Sequence, residues 1–243
     1  YEFIFLFLPV TLVIYHLLMK LNYNQLSILL LTLASLLFYG WWNPKYLILI
    51  CGSIVFNYLV GSNLLRSSQI KIFKSQQRKK ILLVFGITGN LFLLGYYKYS
   101  AFFVNNINYL LETNYMFDKV ILPLAISFFT FQQVTFLVDS YNQKAKEYSF
   151  LNYCLFVTFF PQLIAGPIVH HREMMPQFEK RNNRDSIGKG IIVGVVIFII
   201  GLFKKVVLAD GIAPFSDLAF TAAENNIILN TYEAWTGVLA YTF

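Results

Sequence analysis

The sequence predicts an all-α, polytopic helical membrane protein with a broken or re-entrant helix and an interfacial amphipathic helix. Three observations lead there. Only 13% of the 243 residues are charged and 57% are hydrophobic, whereas a soluble domain carries about 25% charged residues. The apolar residues fall in continuous runs approaching the roughly 20 that cross a bilayer as a helix, not in the alternating segments of about 10 that build a transmembrane barrel. One run, Phe159-Phe160-Pro161-Gln162-Leu163-Ile164-Ala165-Gly166-Pro167-Ile168, is interrupted by two prolines and a glycine and opens directly into His170-His171-Arg172-Glu173. Broken backbone at membrane depth is tolerated only where protein encloses it or it lines a wet cavity. The break therefore marks an internal site.

The candidate spans, in order, are Phe3–Leu18, Leu26–Trp42, Tyr46–Leu65, Ile81–Tyr97, Val120–Val138 and Ile187–Leu208, with a further run starting at Trp235. The first lacks the basic start and small-residue cleavage site of a signal peptide. Aromatics at Phe38-Tyr39-Gly40-Trp41-Trp42 fit an interfacial belt. Between Tyr99 and Phe117 the apolar residues Tyr99, Phe102, Phe103, Ile107, Leu110 and Leu111 keep helical spacing, while Asn105, Asn106, Asn108 and Glu112 face away. That pattern describes an amphipathic helix lying in the interface. The block Leu151–Ile168 is eighth; its first ten residues reach only about half a bilayer at ~1.5 Å each. Val169–Lys189 reads as a polar loop, and the span after it reads as ending at Gly201-Leu202-Phe203-Lys204-Lys205. All 243 residues read as one membrane-embedded domain, without internal repeat or low-complexity stretch.

The net charge of +7 does not point to nucleic acid, because the basic residues sit between spans. Arg66, Lys71, Lys74, Arg78, Lys79 and Lys80 share one acid-free connection, Arg66–Lys80, which the positive-inside rule assigns to the cytoplasm. Alternation then places Trp42-Asn43-Pro44 outside, Lys20–Gln25 inside, the N-terminus outside and the amphipathic helix on the outer surface. Cys51 and Cys154 both lie in apolar runs and read as small buried hydrophobes.

The chemistry-bearing residues are few. In the fifth span Gln132, Thr135 and Asp139 are spaced i, i+3, i+7 and share one helical face. An acid near a membrane helix end is a functional candidate; the alternative reading is that Asp139 marks the cytoplasmic boundary beside Lys144 and Lys146. The three histidines offer no metal spacing. His16 reads as interfacial, and His170 and His171 are adjacent, so at most one points a given way. No phosphate loop or serine elbow occurs.

Leu122-Pro123-Leu124-Ala125-Ile126-Ser127-Phe128-Phe129-Thr130-Phe131-Gln132 and Leu137-Val138-Asp139-Ser140-Tyr141 resemble the signature of the membrane-bound O-acyltransferases, and more closely that of their bacterial alginate O-acetylase branch. Phe159–Ile168 with His170-His171-Arg172-Glu173 and Pro176-Gln177-Phe178, then Gly201-Leu202-Phe203-Lys204-Lys205 and Ala209-Asp210, follow the same branch in order along the whole chain. The resemblance implies a bacterial inner-membrane, multi-pass enzyme that moves an acyl group, commonly acetyl, onto a cell-surface or secreted polysaccharide acceptor. It implies membrane lipid around the protein, acetyl-CoA or another acyl donor as substrate with no bound cofactor and no metal, an extracytoplasmic esterase-like partner, and no nucleic acid. The branch places its catalytic histidine in a Trp-His motif that is not matched here, so no catalytic residue is assigned. The chain is expected to be the N-terminal part of a longer acyltransferase, trimmed at both ends and inactive alone, contributing Gln132, Asp139, Gln162, His170 and Arg172 as tunnel lining. A transporter or flippase, a non-catalytic scaffold, and a teichoic-acid D-alanyl transfer protein of the same family are the competing readings.

Overall fold

Apolar runs without strand breakers, in which every backbone group must bond within its own segment, fold as helices, and among the described residues there is no strand. The computed structural model describes all residues except 1, 67–72, 114, 116–119, 146–148, 165, 167–168, 180–183 and 243. After a π-helical turn at Phe3–Phe7 the helices are α1 (Leu8–Lys20), α2 (Asn24–Trp42), α3 (Lys45–Arg66), α4 (Phe73–Leu94), α5 (Ser100–Leu111), α6 (Ile126–Tyr141), α7 (Phe150–Thr158), α8 (Phe160–Leu163), α9 (His171–Glu179), α10 (Arg184–Phe203), α11 (Asp210–Glu224) and α12 (Thr231–Thr242). Among the described residues five helical stretches are long and apolar enough to cross a membrane: Phe3–Lys20, Asn24–Trp42, Lys45–Arg66, Gln76–Leu111 and Gly190–Glu224. Residues Tyr1–Lys180 form one compact unit and Arg181–Phe243 another.

In the first unit the core lies where α3, α4, α6 and α7 meet, around Ile54, Val60, Leu64, Phe129, Phe136, Leu137, Tyr153 and Val157. Glycines let these helices approach closely. A Cβ on Gly61 would lie 2.3 Å from Phe136 Cε1, and one on Gly86 would lie 2.7 Å from Leu137 Cδ1. Small residues of this kind permit the backbone contacts that hold membrane helices together.

Several expectations change at this level. The helix expected over Val120–Val138 begins only at Ile126. Pro123 disfavours helical geometry at Leu122, and Ala125 takes φ 57°. The freed carbonyls are satisfied from neighbouring helices, by the Tyr39 hydroxyl donating to Leu124 (3.1 Å) and the Tyr46 hydroxyl to Ile121 (2.6 Å). Tyr39 is thus wholly buried and belongs to the core, not to an interfacial belt. Cys51 is exposed on α3, because its face of the helix packs against nothing in the described protein.

The amphipathic segment is helical, but α5 follows α4 directly through a π-helical turn at Gly95–Tyr99. The combined stretch Gln76–Leu111 is 36 residues, about 54 Å at the usual rise. It ends where Glu112 turns left-handed at φ 50° and the Asn108 side chain accepts from the Thr113 hydroxyl and the Tyr115 amide.

The broken block is seen at Phe159, where ψ of 107° ends α7 before α8 starts with Pro161 in its first turn. The Phe160 amide that loses its helical partner donates to Ser35 Oγ on α2 at 3.3 Å. The Phe160 ring locks the same place, packing edge-on against Phe7 (centroids 5.2 Å) and against Phe3 (5.8 Å). The second interruption, at Gly166-Pro167, falls partly outside the described residues. The polar loop expected over Val169–Lys189 instead contains α9, because Met174 and Met175 are spaced to bury one face (6% and 1% exposed) while Arg172, Glu173 and Gln177 stay outside.

In the second unit the helix does not end at Lys204-Lys205. A π-helical stretch, Lys204–Ala209, carries it into α11. There the wider register brings the Asp210 amide to the Lys205 carbonyl, and the Lys205 ammonium pairs with the Asp210 carboxylate. α11 and α12 form an antiparallel hairpin. Asn230 and Glu233 cap α12 reciprocally, each side chain accepting from the other's amide at 2.9 Å, and a Cβ on Gly237 would meet Ala219 Cβ at 2.3 Å.

Candidate polar centre at the broken helix

Helical spacing on α6 aims Gln132 and Thr135 at one small cavity, of about 10 Å³, closed by Phe156 of α7 and by Val169, His170 and His171 at the start of α9. That is the room one water-sized group needs. Gln132 is 3% exposed, and its Oε1 has no hydrogen-bond partner among the described residues. The Thr135 hydroxyl donates to the Phe131 carbonyl at 2.9 Å, so its lone pairs remain available. A little farther along the helix, Asp139 accepts from Arg172 Nη2 at 3.0 Å, and its second oxygen lies 3.8 Å from His171 Nδ1. Asp139 therefore clasps α6 to the first turn of α9, where a carboxylate also meets the positive end of the helix dipole.

His171 is 1% exposed and sits in an aromatic box. It stands edge-on to Phe136 (centroids 5.6 Å) and to Phe156 (6.1 Å), while Tyr153 packs against Phe136 at 4.6 Å. Burial pushes the imidazole down to about 4, against the upward pull of Asp139, and Arg172 and His170 add to the depression. At neutral pH the ring is uncharged, so one nitrogen donates and the other accepts.

Of the five residues selected from the sequence as tunnel lining, the structure brings Gln132 and His170 to this cavity and joins Asp139 to Arg172 beside it. His170 is exposed at the cavity lip. Gln162 is buried at 7% on α8 and is not among the residues that line the cavity. His171 was not selected, and in sequence it is indistinguishable from its neighbour. The packing of α9 decides between them.

A second polar assembly also went unselected. Ser53 and Asn57 on α3, Asn90 on α4 and Gln133 on α6 form a buried network. Asn57 Nδ2 donates to Asn90 Oδ1 at 3.1 Å and Asn90 Nδ2 returns a bond to Asn57 Oδ1 at 2.6 Å. Ser53 Oγ donates to Gln133 Oε1 at 2.7 Å, and Asn57 donates to the same oxygen. The signal was present: amides in the middle of apolar runs are costly unless paired. Their partners lay on other helices.

Residues 85–239 match the membrane-bound O-acyltransferase family. The chain belongs to that family. Along 99% of its length it is 44% identical to a protein of Helicobacter pylori named peptidoglycan O-acetyltransferase, covering 49% of that relative. It is 34% identical, again over 99% of its length, to proteins of Pseudomonas aeruginosa and Azotobacter vinelandii named "Probable alginate O-acetylase AlgI", covering 44% and 46% of them. The chain thus spans about half the length of these curated O-acyltransferase relatives. No solved structure matches it. The cavity and its clasp fall inside the matched region, and so do Asn90 and Gln133 of the buried network.

Proposed function

We propose that the protein carrying this chain transfers acetyl groups from a cytoplasmic donor, acetyl-CoA or another acyl carrier, to hydroxyls of a cell-envelope polysaccharide, with peptidoglycan as the acceptor. In that reaction an acceptor oxygen attacks the thioester carbonyl, the C–O bond forms as the C–S bond breaks, and the acceptor's proton leaves through a general base to the departing thiolate. A base for that step must sit within hydrogen-bond reach of the acceptor proton. It is assigned to none of His16, His170 and His171. The chain supplies scaffold and part of the wall of a site in the bacterial inner membrane, with Gln132, Asp139, His170 and Arg172 at the polar centre and Gln162 bracing the broken helix behind it. An esterase-like partner on the outer side completes the reading.

The observation that carries the acceptor assignment is the 44% identity to the peptidoglycan O-acetyltransferase against 34% to the alginate acetylases, over the same share of this chain. The test uses membranes holding the full-length protein, labelled acetyl-CoA, and purified peptidoglycan or alginate. Alkali-labile label on peptidoglycan is the expected result. Label on alginate alone overturns the acceptor; flux of a substrate across the membrane without covalent label overturns the transfer reaction.

A further inference from the structure

The small cavity between α6 and α9 has a chemistry more specific than tunnel wall. Gln132 Oε1 is buried, faces a space for one oxygen-sized group, and has no partner among the described residues. An amide oxygen accepts, so whatever satisfies it must donate; a carbonyl cannot do so, whereas an O–H can. Thr135 has committed its hydroxyl hydrogen to Phe131 and presents a second acceptor. The neutral imidazole of His171 lines the same cavity. A buried acceptor left without a donor is destabilising, so the arrangement favours a donor entering the cavity.

We propose that Gln132, Thr135 and His171 seat a single O–H oxygen during acyl transfer, making Gln132 and His171 positioning residues for the reaction. Asp139 lies 3.8 Å from the imidazole on its Nδ1 side, and its bond to Arg172 keeps the carboxylate in place. The oxygen has two sources with the same chemistry: a hydroxyl of the acceptor sugar, or a water that hands the acceptor's proton onward. The inference rests on the acyl-transfer reading above.

The aromatic box makes the decisive variant structurally gentle. His171→Phe would stand against Phe136 and Phe156, and Gln132→Met preserves the shape of the side chain. In the full-length protein, wild-type transfer to a soluble acceptor oligosaccharide is measured first, and its absence would count against the reaction, not the seat. Gln132→Met and His171→Phe should each lower kcat/KM for the acceptor at least tenfold with donor KM and the thermal midpoint at neutral pH unchanged, and His171→Gln should recover part of the loss. A rise in acceptor KM assigns the oxygen to the sugar hydroxyl; a fall in kcat alone assigns it to water. Both variants within twofold of wild type overturn the seat, as does an activity loss that tracks a falling midpoint in both and is not recovered by His171→Gln. Independently of activity, a water-resolving map of the full-length protein must show one oxygen within hydrogen-bond distance of Gln132 Oε1. A dry cavity there refutes the proposal.

Discussion

Replacing Asn57 by Leu removes one member of the buried amide network while keeping the branched shape of the side chain. The change deletes both rungs of the Asn57–Asn90 pair, at 3.1 and 2.6 Å, and one of the two bonds to Gln133 Oε1. Asn90 Nδ2 keeps its bond to the Gly86 carbonyl (2.7 Å) and Gln133 Oε1 keeps Ser53, so the stranded groups are Asn90 Oδ1 and one N–H. Interhelical bonds in membranes average about 0.6 kcal/mol and reach about 1.7, and stranding a buried polar atom costs about 1–3 kcal/mol. The single substitution should therefore destabilise the helix assembly by roughly 2–3 kcal/mol. Asn57→Leu combined with Asn90→Leu replaces both partners with apolar groups, which approaches neutrality. The double variant should recover at least half of the loss, a coupling of about 1 kcal/mol or more on a double-mutant cycle. Equilibrium unfolding of the full-length protein in mixed micelles reads all four corners. A single-variant cost below about 0.5 kcal/mol, or two costs that simply add, would refute the view that the amides hold α3, α4 and α6 together.

His171 ties stability to pH. Its folded pKa of about 4 lies below the ordinary ~6.5, so between those values the unfolded chain binds the extra proton and stability falls as pH drops from about 6.5 towards 4, then levels off. The loss is up to about 3 kcal/mol, and His171→Phe should remove that segment of the midpoint-versus-pH curve while leaving the value at pH 7.5 in place. Gly61→Ala drives a methyl into Phe136 at 2.3 Å; overpacking of this kind costs about 1–3 kcal/mol. Because Phe136 abuts His171, it should lower both the thermal midpoint and acetyl transfer. Gly237→Val should disrupt the α11–α12 hairpin by the same mechanism against Ala219, read as new protease cleavage near Asn225–Asn230, whereas Gly211→Ala, with open space around it, should show none.

Helix class and the early spans were legible because they depend on composition and run length, which a single sequence carries. The break was legible because Pro161 removes a donor, although its position at Phe159 was fixed by the Ser35 hydroxyl and by phenylalanines more than a hundred residues away. What stayed hidden was the outcome of competition between neighbours. His170 and His171 differ only in which lies over Phe136 and Phe156 once α9 has formed. Gln132 and Gln133 differ by the ~100° turn of a helix, one meeting the cavity and the other the α3–α4 amides. The run from Gly190 to Glu224 stayed helical through Lys204-Lys205 because a charge pair in the next turn is compatible with a π register and requires no stop.

α6 is 16 residues long, about 24 Å at the usual rise against a hydrocarbon layer of about 30 Å, and it carries Thr130, Gln132, Gln133, Thr135 and Asp139. During synthesis such a segment gains little from entering lipid by itself. Its entry depends on α3 and α4 already standing there with Ser53, Asn57 and Asn90 ready to receive Gln133. The amide network is in that sense a docking code read once, at biogenesis: it sets the order in which the nascent chain assembles. Mutations in it would lower the amount of protein reaching the membrane before they altered any step of turnover.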